Sequence, residues 1–248
     1  MLTDALGNRG YAFVEVKPEV NRNREEHTVD VVFDVHEGPQ VYVERIDISG
    51  NVRTLDKVIR REFLLVEGDA FNTNKMQRSK DRVKNLGFFK KVEVSNSPGS
   101  APDRTVINTE IEEQSTGELS VGLGFSTTDG PLADVSIRER NFLGRGQDVR
   151  IGTVISFRSQ QVDLSFTEPY FLDKNIAAGI DIFEVKTSPT SNFFTGVSPV
   201  YQQFSYGGAL RTGFQLSENL RQTWKYTARS DDITNIQSDA SLFIQLQK

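Results

Sequence analysis

The chain has 248 residues, 25% of them charged, and a formal net charge of −5, so it carries no general attraction for nucleic acid or anionic lipid. It has no cysteine, which removes disulfides, thiolate nucleophiles and Cys-ligated zinc. No apolar run approaches the ~18 residues that a transmembrane helix needs, and Met1–Gly7 has neither the basic nor the apolar region of a signal peptide.

The beginning of the chain reads as the end of a repeat. Gly10–Val16 (GYAFVEV) is matched by Gly87–Val94 (GFFKKVEV), and Thr28–Glu37 (TVDVVFDVHE) by Thr105–Glu113 (TVINTEIEE). The offset from Val16 to Val94 is nearly the offset from Glu37 to Glu113, the mark of one supersecondary unit used twice. Residues 1–38 are therefore expected to be the C-terminal part of a unit truncated upstream, and residues 39–114 a complete β-α-α-β-β unit. In the complete copy a strand at Gln40–Ser49 alternates through Val41, Val43, Ile46 and Ile48, slipping once at Glu44–Arg45, and a turn follows at Gly50–Asn51. Thr54 is the expected N-cap of a short helix with Leu55, Val58 and Ile59 on one face. A second helix is expected from about Thr73 to Leu86, with Met76, Val83 and Leu86 inward and Gly87 ending it.

From Gly117 onward alternation dominates. Leu119, Val121, Leu123 and Phe125 fall on one face of the first run, and Ser120, Gly122, Gly124 and Ser126 on the other. A soluble sandwich would put bulk inward and charge outward. Here the second face is small and polar, which suits a wet lumen behind a lipid-facing wall. Further strands are expected at Ala133–Asn141, Val149–Phe157, Val162–Glu168, Ile176–Val185, Tyr206–Leu216 and Gln222–Arg229, with Asp239–Gln247 opening an eighth. Residues 117–248 thus read as the first seven or eight strands of a membrane barrel. With the preceding unit on the periplasmic side, the longest connection, Lys186–Gln203, falls outside. Tyr170, Phe171, Trp224 and Tyr226 are candidates for interfacial girdles.

Catalytic chemistry finds little support. His27 and His36 flank or lie in a strand and have no cysteine partner, which favours surface roles over a metal site. Gly144-Arg-Gly146 lacks a third glycine and reads as a tight strand connection, not a phosphate cradle. Glu112 and Glu113 point to opposite sides of a strand end and make a poor acid–base pair. The basic run Lys75, Arg78, Lys80, Arg82 and Lys84 reads as a solvated helix face. No catalytic residue, metal or cofactor is expected, and the chain does not read as an enzyme.

Quoted together, LGFFKKVEV and GNVRTLDKVIRREF resemble a POTRA domain, and GELSVGLGFSTTDG, ERNFLGRGQDVRIG and LSFTEPYFLD resemble the start of a BamA-type outer-membrane barrel. The fold class this implies is α+β POTRA units followed by the N-terminal part of an antiparallel transmembrane β-barrel. The family's later Val-Arg-Gly-Phe-type loop motif is absent and the chain ends in Leu246-Gln247-Lys248 without a terminal aromatic, both of which point to truncation. By resemblance the function is a non-catalytic insertase that folds β-barrel proteins into the bacterial outer membrane, with the POTRA part in the periplasm. The implied partners are outer-membrane lipids, nascent outer-membrane β-barrel proteins and assembly lipoproteins, with no nucleic acid. Alternatives are a POTRA-barrel secretion pore of the two-partner type, a TamA-like assembly factor and a patatin-lipase fusion.

Three sites follow from that resemblance. Lys90–Asn96 is the expected edge strand, with Lys90 and Lys91 guarding it and Val92 and Val94 on it, open to strand addition. Glu67 matches an acidic position in the family's lipoprotein-docking surface. Leu119, Val121, Gly122, Gly124 and Phe125 lie on the strand at the seam where the barrel wall is expected to open.

Overall fold

The computed structural model describes Leu6, Arg9, Tyr11 and residues 15–23, 28–36, 40–127, 129–188, 200–217, 220–238 and 240–246. Most of Gly10–Val16, His27, Glu37 and the middle of the 186–203 connection lie outside the described residues. The chain divides into two compact units, Met1–Ser115 and Thr116–Lys248.

The first unit opens with an antiparallel hairpin, β1 (Glu15–Asn23) and β2 (Thr28–His36). Val16, Pro18 and Val20 stand opposite Val35, Phe33 and Val31 and give this hairpin one apolar face. A second sheet follows, made of β3 (Tyr42–Ser49), β4 (Phe89–Pro98) and β5 (Arg104–Glu113) in the order β3-β5-β4. β3 runs parallel to β5 and β4 antiparallel to it, so β5 is central. The slip expected at Glu44–Arg45 is a bulge between Val43 and Arg45, which returns Ile46 to the buried face.

Two helices cover this sheet, α1 (Asp56–Arg60) and α2 (Thr73–Asn85). Val58, Ile59, Phe63, Leu65 and Val83 pack on Val43, Ile46, Val92, Ile107 and Ile111 to form the core. Ile59, Leu65 and Ile107 are fully buried, each contributing about 1.5–3 kcal/mol of apolar burial. Asn72 caps α2, its side-chain oxygen accepting the Lys75 N–H at 2.9 Å. Gly87 ends the helix at φ 71°, where a side chain would be strained.

The start of α1 differs from the sequence expectation. Thr54 is not its cap: the helix begins at Asp56, and the residue before it, Leu55, makes no side-chain cap bond. The carboxylate of Glu113, arriving from the end of β5, accepts the N–H groups of Arg53 at 3.0 Å and Thr54 at 2.7 Å. An ionised carboxylate is a strong acceptor, and these two bonds tie the segment just before α1 to the end of β5. Burial opposes ionisation of Glu113, but these backbone donors outweigh it and hold its carboxyl below the usual glutamate range.

The second unit is a seven-stranded meander in which every strand pairs with its sequence neighbour. The strands are β6 (Gly117–Ser126), β7 (Gly130–Phe142), β8 (Gln147–Ser156), β9 (Ser159–Glu168), β10 (Ile176–Thr187), β11 (Gln202–Ser217) and β12 (Leu220–Thr234). Register aligns the apolar residues into rows: Leu119, Ile137, Ile151, Leu164 and Ile182 are successive cross-strand partners. All five are at least 40% exposed, so the row faces outward and not into a protein core. The other face carries Glu118, Arg138, Arg150, Ser165 and Asp181 along one row. This is the apolar-out, polar-in alternation of a membrane barrel wall.

Turns are built from local acceptors. Asn141 is buried and accepts the Gly146 N–H at 2.8 Å, closing the Gly144-Arg-Gly146 connection between β7 and β8. Gly144 and Gly146 are both at φ 70°, the backbone reason for two glycines there. Glu168 joins this turn to the next one on the same side, accepting from Gln147 Nε2 at 2.7 Å and from the Tyr170 N–H at 2.9 Å. The expected eighth strand is corrected. Leu242–Gln245 forms a short helix, α3, in which the Ile244 and Gln245 N–H groups donate to the Ser241 carbonyl at 2.9 and 3.0 Å. Local bonds satisfy this backbone, and no pairing with β12 forms among the described residues; Asp239 and Gln247 lie outside them.

Candidate functional site

In the three-stranded sheet β3 and β4 are the edge strands, and they are treated differently. The outer side of β3 is closed by its own chain. Val43 donates to the Asp69 carbonyl and accepts from Gly68, both at 2.7–2.8 Å, and the Phe71 N–H reaches the Val41 carbonyl at 2.9 Å. One turn further along, side chains take over: Glu67 Oε1 accepts the Ile46 N–H at 3.3 Å, and Arg60 Nη2 donates to the Ile46 carbonyl at 3.0 Å. Arg60 and Glu67 are themselves paired at 3.0 Å. Glu67 is thus half of a clamp over the β3 edge, and its side chain remains 52% exposed.

β4 pairs only with β5 among the described residues, so its other side is open. Lys90 and Lys91 are exposed on it, yet both are matched by acids: Lys90 Nζ lies 3.0 Å from Glu112 and Lys91 Nζ 3.0 Å from Glu93. The Glu93 hydrogen bond and charge raise the Lys91 pKa above its ordinary value. Val92 is buried in the core and Val94 packs partly against it, so neither side chain presents itself outward. What β4 offers a partner is its backbone.

β6 pairs with β7 in an unbroken register from Gly117↔Glu139 to Ser126↔Gly130, and its other side is unpaired among the described residues. Leu119, Val121, Leu123 and Phe125 are 67%, 66%, 86% and 58% exposed, the outward row expected of them. The two glycines of this strand differ. A Cβ on Gly122 would meet only Asp134, at 3.6 Å, an ordinary contact, whereas one on Gly124 would press on Leu132 Cδ1 at 3.1 Å. Gly124 relieves crowding; Gly122 is not demanded by space. At its start the strand is clasped to β7, because Glu139 accepts both the Thr116 hydroxyl and, at 2.8 Å, the Asn141 N–H.

The polar face of the second unit carries pairs that single-residue reading did not find. Arg138 donates to Asp148 through Nε and Nη2 at 2.9 and 2.7 Å. Arg211 donates to Asp181, Ser165 and Thr167 at 2.8–3.1 Å across three strands. Charges at lumen positions of alternating strands were the available signal; which of them meet depends on register. Among the described residues no cluster of His, Asp or Glu is arranged to hold a metal ion.

Comparison with known proteins gives a consistent result. The POTRA family, surface antigen variable number repeat, matches residues 1–38 and 41–114, and the Omp85 superfamily domain matches residues 141–247. The outer membrane protein assembly factor BamA of Neisseria meningitidis serogroup B is 33% identical over 73% of this chain and 23% of its own length. The BamA of Nitratidesulfovibrio vulgaris is 27% identical over 99% of this chain and 30% of its own. The chain therefore spans less than a third of the length of these relatives. The crystal structure of BamA from Haemophilus ducreyi lacking POTRA domains 1–3 superposes with a TM-score of 0.82 at 30% identity, over 94% of this chain and 44% of that one. Repeat, sheet order, outward apolar rows and these matches agree: the chain belongs to the BamA-type proteins, carrying POTRA sequence followed by part of an Omp85 barrel domain.

Proposed function

We propose that the protein of which this chain forms part is a non-catalytic insertase of the bacterial outer membrane, with its POTRA units in the periplasm. The observation that carries this is the outward apolar wall of the meander, following a POTRA unit in a chain similar to BamA over nearly its whole length. The side of β6 away from β7 has no partner among the described residues, and unpaired backbone groups cost several kcal/mol each in hydrocarbon, so in the whole protein this side takes a partner strand. In the reading proposed here, a nascent outer-membrane β-barrel protein supplies it when the seam opens, and the residues concerned are Leu119, Val121, Gly122, Gly124 and Phe125. Among the described residues an added Cβ at Gly122 would make only an ordinary contact with Asp134, so crowding against β7 does not account for a glycine there.

The open side of β4 at Lys90, Lys91, Val92 and Val94 is a second place for an extended substrate segment, held through main-chain bonds. Amide shifts across residues 90–96 on adding an unfolded barrel peptide test this; their absence removes the site. Glu67, half exposed, is proposed to meet a basic surface on an assembly lipoprotein. Outer-membrane lipids surround the barrel wall, and neither nucleic acid nor a catalytic step belongs to this function. The decisive experiment uses the full-length protein with cysteines on the first and last barrel strands. Cross-linking is expected to abolish assembly activity and leave a folded, heat-modifiable barrel. Full activity with the seam locked overturns the proposal.

A further inference from the structure

We propose that the lumen face of β10–β12 holds a binding site for an extended acidic polypeptide segment. The face contains a cleft of about 280 Å³ lined by Thr167, Gly179, Arg211, Gly213, Arg221 and Lys225, among others. Its charges do not balance. Arg211 and Lys225 are direct cross-strand partners, an arrangement in which like charges destabilise a sheet. Asp181 serves both, at 2.8 Å from Arg211 Nη2 and 3.6 Å from Lys225 Nζ. Arg221 adds a third cation to the same cleft and has no ion-pair partner among the described residues.

Glycines make the room. A Cβ on Gly179 would come within 3.0 Å of Arg211 Nη2, and one on Gly213 within 3.4 Å of Arg221 Nη2. The space both positions leave is taken up by guanidinium groups, which pair with carboxylates through two parallel N–H donors. Three cations line one cleft in which a single carboxylate serves two of them, an excess that is matched by added negative charge.

Spacing selects the ligand. Arg221 and Lys225 lie on one strand, both on the lumen side, separated by about 14 Å at the usual rise of ~3.4 Å per residue. Carboxylates four residues apart on an extended segment, as every second acid of an alternating sequence is, fall about 14 Å apart as well, whereas one phosphate group cannot span both positions. Thr223, midway between them on the strand, supplies a hydroxyl for main-chain or side-chain oxygens. The site is independent of the seam and of insertase activity.

The test uses the full-length protein in detergent, with a fluorescein-labelled peptide of alternating glutamate and serine followed by anisotropy, and with inorganic phosphate as the second probe. Arg221→Gln and Lys225→Gln are each expected to weaken the peptide about tenfold, roughly one charge-assisted hydrogen bond. Arg221→Lys is expected to restore most of the loss, and Arg150→Gln, elsewhere on the same lumen face, to change nothing. Heat modifiability checks that each variant holds a folded barrel. No peptide binding, peptide binding unchanged in the double variant, or binding of phosphate but not peptide each overturns the proposal.

Discussion

Glu67 is both a proposed partner contact and half of the clamp on Ile46, so a substitution there has two effects that must be separated. Glu67→Gln keeps an oxygen that can accept from Ile46 and Arg60 and removes only the ionic part of the pair. With the two side chains 41% and 52% exposed, solvent screens that part to about 0.2–1 kcal/mol. Glu67→Lys also strips the acceptor from the Ile46 N–H and sets a second cation beside Arg60. One lost hydrogen bond adds about 0.5–1.5 kcal/mol, so the lysine variant should be less stable than the glutamine variant by roughly 1 kcal/mol. Urea unfolding of residues 40–114 measures the difference, and amide exchange at Ile46 should accelerate only in Glu67→Lys. Arg60→Gln separates the roles: it opens the clamp and leaves the Glu67 carboxylate free. Lipoprotein binding should survive in Arg60→Gln and fail in Glu67→Lys. Equal stability of the two Glu67 variants, with unchanged Ile46 exchange, would refute the clamp; loss of binding in Arg60→Gln would show that the docking surface needs the clamp and not the acid alone.

Glu113 should make the POTRA unit acid-sensitive: its lowered carboxyl contributes stability above the ordinary glutamate value of 4.5 that is lost as pH falls through the folded value. Urea midpoints of residues 40–114 from neutral pH to pH 3 should show this, and Glu113→Gln should flatten the acid limb at a cost of roughly 0.5–1 kcal/mol at neutral pH after screening. Gly50→Ala should cost about 3 kcal/mol or more, because Gly50 sits at φ 89° and an added Cβ would lie 2.0 Å from the Ile111 carbonyl oxygen; an unchanged unfolding midpoint would contradict that packing. Residues 40–114, which contain the whole core cluster, should fold alone in water, whereas residues 117–248 should give no protease-resistant, heat-modifiable band in lipid vesicles, because the outer sides of β6 and β12 have no partner among the described residues.

What the sequence made legible was what repeats locally. Alternation placed the strands of the meander, and Thr73 with Gly87 framed α2 because a helix start and its termination are decided within a turn. The slip at Glu44–Arg45 announced the bulge for the same reason: one extra residue shifts every later side chain to the other face. Thr54 lies one residue too early to cap α1, which starts at Asp56 after Leu55, and its backbone N–H is held instead by Glu113, distant in sequence and brought near by β5. Asp239–Gln247 alternates like a strand, but alternation gives no backbone partner, and Leu242–Gln245 finds its bonds within one turn. The Arg60–Glu67–Ile46 clamp and the Arg211 cluster depend on register and loop path, which no window of sequence contains.

The meander has a consequence for how each unit forms. Closing β6 on β7 or β8 on β9 needs only a hairpin, and each finished strand presents a full ladder to the next one made. The parallel pairing of β3 with β5 instead joins Tyr42 to Arg104, across both helices and β4. Loop-closure entropy is paid before such a contact returns anything, so high-separation pairings form slowly. In the POTRA sheet β4 and β5 can close as a hairpin, but the pairing of β3 has to wait until β5 is available. The barrel wall is a growing front, able to extend one hairpin at a time in chain order, with each stage ending in an edge that templates its successor.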